Sequence, residues 1–344
     1  MSTPAVHVLA AGTALPGPPI DNATLARRFG MSAVWRQWVD SFIATDSRHL
    51  ATNLDTGEVD YSLTDLGELA ARRALASAAV TAEQIDLVVM GTATPDMLMP
   101  ATVNLIADRL GIDGVPTYQL QSGCAGAVQA LDVASQLIAG GRHRTALVIG
   151  GDVGAKHHDL GTELGSLSPE ELVNVVLFGD GAGAAVVGAE PTVGSAEVRS
   201  VFVRLTGLDR PPGQVIEWFG LADRGRARSA GSEDYRMIEH SVPVMAAEVL
   251  QELLDVTGWL ESDVDYLLPP QLSGRMTAKI VDRMAVPGAE EITCVREVGN
   301  NGNALVFFQL ERLLARMRPG QHAIGVAVES SKWIKAGFAL EKAC

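Results

Sequence analysis

Cysteine is scarce in this chain, positive charge is outweighed and long apolar runs are missing, and each shortage excludes something. The three cysteines among 344 residues, Cys124, Cys294 and Cys344, are too few and too scattered for a disulfide framework or a zinc site, and such usage suits a reducing cytoplasm. Lysine and arginine total 27 against 41 acidic residues, a net charge of −14, so no bulk attraction to nucleic acid or an anionic membrane is expected. No apolar run approaches the roughly 18 residues of a membrane span. The opening MSTPAVHVLAAGTALPG lacks the basic start of a signal peptide and reads as a first strand. There is no G-x-S-x-G, H-E-x-x-H, C-x-x-C or Walker lysine loop, so hydrolase, zinc and nucleotide chemistries have no foothold.

What is present describes a compact α/β protein: 47% hydrophobic residues, 35 glycines and 20% charged residues. Short β-rich runs closed by glycine alternate with Ala/Leu-rich helical stretches. The helix 63–80 precedes the strand 85–95, the helix 125–138 precedes the strand 144–154, and LFGDGAGAAVVG (177–188) opens into a β-branched strand. The plan then recurs: strand 200–207, a charged glycine-rich loop, helix 237–258, strand 265–270, helix 272–284, strand 291–299, helix 304–317 and strand 322–330. Alternation of this kind implies parallel strands with crossover helices. The repetition implies a duplication, with one half over 1–190 and the other over 191–344, packed as one body.

The stretch TYQLQSGCAGAVQAL (117–131) places Cys124 between a short strand and a helix. At such a corner, free backbone N–H groups and the positive end of the helix dipole are expected to stabilise a thiolate and lower the thiol pKa. A small buried hydrophobe is the competing reading. The glycines of FGDGAGAAVVG (178–188) do not form a dinucleotide fingerprint, because a strand follows them where a helix is required.

Taken together, SGCAGAVQAL, LFGDGAGAAVV, WVDSFIATDSRHL, VPTYQLQSGCAG and the GN dipeptide of REVGNNGNAL resemble ketoacyl-ACP synthase III enzymes of the thiolase superfamily, over nearly the whole chain. The resemblance implies a thiolase-like, duplicated αβαβα five-layer fold, a homodimer, and an acyl thioester formed on Cys124. It implies no metal and no cofactor beyond the pantetheine thioester of an acyl-CoA or acyl carrier protein. Asn300 matches the family asparagine that hydrogen-bonds the second substrate's thioester carbonyl, with Asn301 and Asn303 nearby. The family histidine falls at Pro270, within Pro269-Pro270-Gln271-Leu272-Ser273, and proline offers neither donor nor base. His157, His158 and His240 are the candidates for a replacement, though a histidine of this kind is more often a surface or packed one.

Further matches are implied for substrate binding. Trp38 corresponds to a tryptophan that clamps the adenine of CoA, while the arginine of that clamp falls at Phe42. Lys156 falls at a basic position, and Met99 matches a residue reaching into the partner subunit's acyl pocket. The glycine-rich family loop reads Glu329-Ser330-Ser331-Lys332-Trp333 here, so Ser331, Lys332 and Trp333 are expected to reshape the pocket wall. Arg275, Lys279 and Arg283 recur every four residues and share one helix face, where they would dock an acidic acyl carrier protein; a solvated face supported by neighbouring acids is the alternative.

Loss of one oxyanion donor typically costs about 100- to 1000-fold in rate. The expectation is therefore an acyltransferase or condensing enzyme of specialised, polyketide-type metabolism that moves an acyl group through Cys124 without decarboxylating malonate, as in carrier-to-carrier transfer or tetronate-type condensation. A decarboxylative synthase and a non-catalytic partner subunit of a heterodimeric synthase are the alternatives.

Overall fold

A computed structural model describes residues 4–154, 157, 169–218 and 231–343. Its main sheet is built from β1 (His7–Ala14), β2 (Leu87–Thr92), β3 (Thr117–Gln121), β4 (Thr145–Asp152), β5 (Gly181–Gly188), β6 (Ala196–Leu205), β7 (Tyr266–Leu268), β8 (Glu290–Glu291), β9 (His322–Glu329) and β10 (Ile334–Lys342). Helices α1 (Leu63–Ala78), α2 (Thr102–Leu110) and α3 (Gly126–Ala139) serve the first half; α4 (Tyr235–Thr257), α5 (Gly274–Met284) and α6 (Leu305–Leu314) serve the second.

The strand order is β8-β7-β9-β10-β6-β1-β5-β4-β2-β3. Outward from the middle, β1-β5-β4-β2-β3 and β6-β10-β9-β7-β8 run through the same series, antiparallel, antiparallel, parallel, parallel. The halves meet where His7 pairs with Glu197 and Val8 with Ala196. Each main-sheet strand of the first series thus has a counterpart in the second.

Three hydrophobic clusters set the layers. The central one packs α3 and α6 between the inner faces of both halves, with Val128, Leu131, Phe307 and Leu310 at its heart. An outer cluster buries Leu66, Ala70 and Ala74 of α1 and Ile106 of α2 against β1, β2, β4 and β5. The other outer cluster buries Val242, Val249 and Leu253 of α4 and Ile280 of α5 against β7, β9 and β10. Helix, sheet, helix, sheet, helix is the resulting stack: the chain has the thiolase-like αβαβα fold. Local signals agree with it. Ser62 and Asp65 form a capping box that starts α1, and Ser273 caps α5 through the Met276 N–H.

The glycine-rich β5 has a packing explanation. A Cβ on Gly183 would lie 2.3 Å from Phe307 Cβ, so glycine there lets α6 approach the sheet. Two expectations need correction. The run 291–299 is not a strand: pairing ends at Glu291 and Val295–Val298 forms a helical turn. The side-chain oxygen of Gln271 accepts from the N–H groups of Cys294 and Val295 at 2.5 and 2.9 Å, which removes those donors from any ladder. A strand unforeseen in the sequence, β10, lies between β9 and β6.

Candidate active site

Cys124 sits in the four-residue corner between β3 and α3. The corner is tight because two glycines allow it. A Cβ on Gly91 of β2 would meet the Gly126 carbonyl at 2.3 Å, and one on Gly126 would lie 2.6 Å from Asn303 Oδ1. Glycine at 126 therefore admits Asn303, whose Oδ1 accepts from the Ala127 N–H at 2.9 Å while its Nδ2 donates to the Ser122 carbonyl at 3.1 Å. Asn303 brackets the cysteine from both sides.

Asn303 is itself held by Asp152 at the end of β4. Asp152 Oδ2 accepts from the Asn303 N–H and Nδ2, both at 2.9 Å, and its Oδ1 accepts from Thr92, Ala93 and Thr94. Burial holds the Asp152 carboxyl above the usual carboxylate range, against these hydrogen bonds, which pull the other way. Asn300 follows the left-handed Gly299. Its backbone bridges to the FGDG segment, accepting from the Gly179 N–H at 3.0 Å and donating to the Leu177 carbonyl at 2.9 Å. Its Oδ1 accepts from the Gly302 N–H at 3.1 Å, and its Nδ2 has no hydrogen-bond acceptor among the described residues, which keeps a donor available for a ligand carbonyl. The neighbouring Asn301 is fully buried, and its amide finds no hydrogen-bond partner among the described residues.

The electrostatics at the sulfur reverse the expectation from the helix dipole. The Gly126 N–H is taken by the Gly123 carbonyl and the Ala127 N–H by Asn303, so two of the donors at the start of α3 are already in use. Burial, then the negative charges of Glu329, Asp152 and Glu233, push the Cys124 thiol up to about 12, with only its own backbone N–H opposing them. The residue still keeps part of its surface open. Reach and solvation differ here: a ligand can touch a sulfur that too few waters surround to stabilise its charge. Glu329, at the end of β9, is buried. A Cβ on Gly123 would lie 3.2 Å from its carboxyl carbon; its Oε2 accepts from Ser122 Oγ at 2.5 Å and its Oε1 from Ser331 Oγ. Glu233 is held by Tyr235 and Gln214, and burial raises its pKa.

A partly open thiol, bracketed by an asparagine from the other half and neighboured by a second asparagine loop, suits acyl transfer from a thioester. Sequence comparison agrees. Profiles of 3-oxoacyl-[acyl-carrier-protein] synthase III and of its C-terminal part match residues 118–204 and 254–330. A beta-ketoacyl-[acyl-carrier-protein] synthase III of Rhodospirillum centenum is 33% identical over 302 residues, covering 87% of each chain. The chain belongs to the ketoacyl-ACP synthase III family. Another relative, synthase III 3 of Streptomyces coelicolor, is 32% identical, over 91% of this chain and 90% of its own. Among solved structures, AbyA1, a tetronic acid condensing enzyme, is 61% identical with a TM-score of 0.95, over 98% of this chain and 99% of that one. The synthase III (FabH) of Pseudomonas aeruginosa PAO1 is 25% identical with a TM-score of 0.83, over 99% of each. Membership makes this an acyl-transferring, thioester-dependent condensing enzyme.

For this synthase III-like enzyme, the remaining expected positions divide into those with contacts bearing on the cysteine and those without. Ser331 reaches it through Glu329. Trp333 is fully buried: its Nε1 donates to the Pro211 carbonyl at 2.7 Å and the Arg210 guanidinium lies 3.9 Å over its ring. Lys332 is exposed, with Nζ on the Arg210 carbonyl at 2.6 Å. The two bulky side chains thus brace the loop from behind. Pro269 and Pro270 are buried, and their carbonyls accept from Gln309 Nε2 and Thr277 Oγ1.

Of the histidines, His157 stands edge-on to Trp218 and His240 is exposed on α4. His158 and Lys156 lie outside the described residues. Trp38 is half-buried among the packed N-terminal helices. Phe42 is exposed, and Arg275 supplies an arginine over its ring, 5.1 Å from the centroid. Arg275, Lys279 and Arg283 are all exposed on α5, with Lys279 paired to Glu239 at 3.0 Å. Met99 is 86% exposed beside Leu98 and Met97.

Sequence reasoning missed Asp152 and Glu233 and named Glu329 only as the first residue of the pocket loop. A usable signal existed for two of them. Asp152 and Glu329 each close an apolar strand with a lone acid, and acids are almost never buried without a specific partner or purpose. Among the described residues no cluster of three or more His, Cys, Asp or Glu is arranged to hold a metal ion, and no helix is long and apolar enough to cross a membrane.

Proposed function

We propose that this protein is a tetronate-type condensing enzyme. Cys124 takes an acyl group from a CoA or carrier-protein thioester, and that group is then transferred to the acidic carbon of a β-ketoacyl thioester with no loss of carbon dioxide. The ring dictates the substrates. A tetronic acid is a five-membered lactone, so the acyl group on Cys124 must carry a hydroxyl on the carbon next to its carbonyl. The β-ketoacyl carbon between the two carbonyls loses a proton, attacks the Cys124 thioester and expels the cysteine. The hydroxyl oxygen then attacks the acceptor's own thioester, closing the ring and expelling the carrier thiol. The two released thiols take up the C–H and O–H protons.

The observation that carries this reading is the sign of the charge around Cys124, where Glu329, Asp152 and Glu233 all bear on the sulfur. A malonyl group would bring a further carboxylate among like charges, and Pro270 gives no donor for the enolate its decarboxylation leaves. A β-ketoacyl thioester is neutral and needs only a base. The 61% identity to a tetronic acid condensing enzyme supports the same choice. Asn300 would donate to the acceptor thioester carbonyl and the Cys124 N–H to the oxyanion. Arg275, Lys279 and Arg283 would receive an acyl carrier protein, and a second copy of the chain would cover the exposed Met97–Met99 segment.

The test pairs intact-protein mass after incubation with acyl-CoA and acyl-carrier thioesters, Cys124→Ala as control, with product analysis after a β-ketoacyl thioester is added. The expected result is a mass gain lost in the variant, a tetronate product and no carbon dioxide. Carbon dioxide release from a malonyl thioester with a β-ketoacyl product would establish the decarboxylative reaction instead. A Cys124 that alkylating agents reach but no thioester loads would indicate a partner subunit.

A further inference from the structure

A thiol held protonated needs a proton acceptor before it attacks a thioester, and no histidine stands at Pro270. Three carboxylates bear on the sulfur, and their bonding separates them. Asp152 is occupied by backbone, threonine and asparagine donors on both oxygens and acts as a strut. Glu233 belongs to a small hairpin and is bound by Gln214 and Tyr235. Glu329 differs from both: it is 5% exposed, forms no ion pair among the described residues, and its two oxygens meet only the hydroxyls of Ser122 and Ser331.

Burying a carboxylate without a cation costs stability, which marks Glu329 as retained for something other than packing. Gly123 leaves no side chain between its carboxyl group and the backbone of the cysteine corner.

We infer that Glu329 is the proton acceptor and donor for Cys124, in the place where the family's histidine is missing. The inference rests on Cys124 being the acyl carrier. In loading, the Glu329 carboxylate takes the Sγ proton, the thiolate attacks the donor carbonyl, and the departing pantetheine thiolate takes the proton back. In condensation, Glu329 takes the proton from the β-ketoacyl carbon, that carbon forms its bond to the acyl carbonyl, and the Cys124 thiolate leaves and recovers the proton. Each half-reaction returns Glu329 to its ionised form, with no further reactant required.

The experiment compares two reactions of the same sulfur in the full-length protein: acyl loading by intact mass with acetyl-CoA and a synthetic 2-hydroxyacyl pantetheine thioester, and alkylation by iodoacetamide. In Glu329→Gln, loading should fall by about 100-fold or more, the usual scale of general acid–base catalysis. Alkylation should not fall, because a facing negative charge has been removed. Formate should restore loading in Glu329→Ala in a concentration-dependent way. Should the amide variant not fold, Glu329→Asp provides the same contrast, slower loading with unchanged alkylation.

Loading at the wild-type rate in a folded Glu329 variant, or loading and alkylation falling together with no formate rescue, overturns the assignment alone. A wild-type Cys124 that neither thioester acylates overturns both the assignment and the reading on which it rests.

Discussion

The strand-to-helix corner carrying Cys124 has a counterpart in the duplicated plan. Between β3 and α3 the chain needs only residues 122–125; between β8 and α6 it spends residues 292–304, including a helical turn, Gly299 and the asparagines at 300, 301 and 303. Each corner holds a cysteine, Cys124 in one and Cys294 in the other, and burial pushes both thiols up to about 12. They differ in access. Cys294 is 2% exposed and its sulfur accepts from Gln271 Nε2 at 3.5 Å, whereas Cys124 is partly open. The tight corner presents a sulfur to a ligand; the long one crosses to the other half and delivers amides to hold it. Duplication supplied two equivalent positions, and loop length divided the work between them.

The largest expected effect tests that division directly. Cys124→Ala should abolish acyl loading and product formation altogether, while Cys294→Ala should leave both intact. Peptide mapping after iodoacetamide treatment of the folded protein should find Cys124 modified and Cys294 spared. With the thiol near 12 the rate should climb about tenfold per pH unit from pH 7 to 10, where an ordinary cysteine of pKa about 8.5 would level off. Equal labelling of the two cysteines, or a plateau near pH 8.5, would break the comparison.

The next effect isolates the amide side. Asn300→Ala removes the carboxamide whose Nδ2 has no acceptor among the described residues, so condensation should slow by about 100- to 1000-fold while loading of Cys124 persists. Loss of loading as well would mean that Asn300 shapes the cysteine corner rather than the acceptor.

The sequence disclosed the short corner far better than the long one, for a physical reason. Strand β3, helix α3 and the glycines beside Cys124 are local: periodicity and small residues are visible within fifteen positions of chain. The long corner is made by distant contacts. Glu-Ile-Thr-Cys-Val alternates like a strand, and only the side chain of Gln271, arriving from the segment after β7, turns it into a helix. The error over the thiol has the same origin. The helix dipole is readable next to Cys124, whereas Asp152, Glu233 and Glu329 come from strands remote in sequence, and nothing local announces that Asn303 occupies the Ala127 amide of α3. Asn300 was singled out by family resemblance alone, and the basic stripe by its four-residue spacing together with that resemblance.

Asn303 offers an intermediate effect in which stability and activity are coupled. Asn303→Ala would strip partners from the Ala127 N–H, the Ser122 carbonyl and Asp152, all buried or nearly so. One unsatisfied buried group costs about 1–3 kcal/mol, and relaxation or water would absorb part of the sum. A fall of about 2–4 kcal/mol in unfolding free energy by urea titration is expected on that scale, along with slower loading. Asn301→Ala, which removes an amide without partners among the described residues, should cost clearly less. The reverse order would show that Asn303 does not clamp the corner.

The smallest effects should come from α5, and their ranking is set by what each cation already touches. Lys279 is paired with Glu239 at 3.0 Å, so part of its charge is spent within the protein. Arg275 lies over Phe42 and keeps its charge, but substitution also disturbs that stack. Arg283 is exposed, with no ion pair among the described residues. Exposed charges contribute at most about 1 kcal/mol each, or roughly a fivefold change in affinity. If the stripe receives an acidic carrier protein, Arg283→Ala should raise KM for acyl-carrier substrates more than Lys279→Ala, with kcat and the KM for acyl-CoA unchanged. The penalty should shrink as salt rises and the Debye length shortens. Equal penalties on CoA and carrier substrates would place the stripe on the pantetheine path instead; no penalty on either would leave it a solvated helix face.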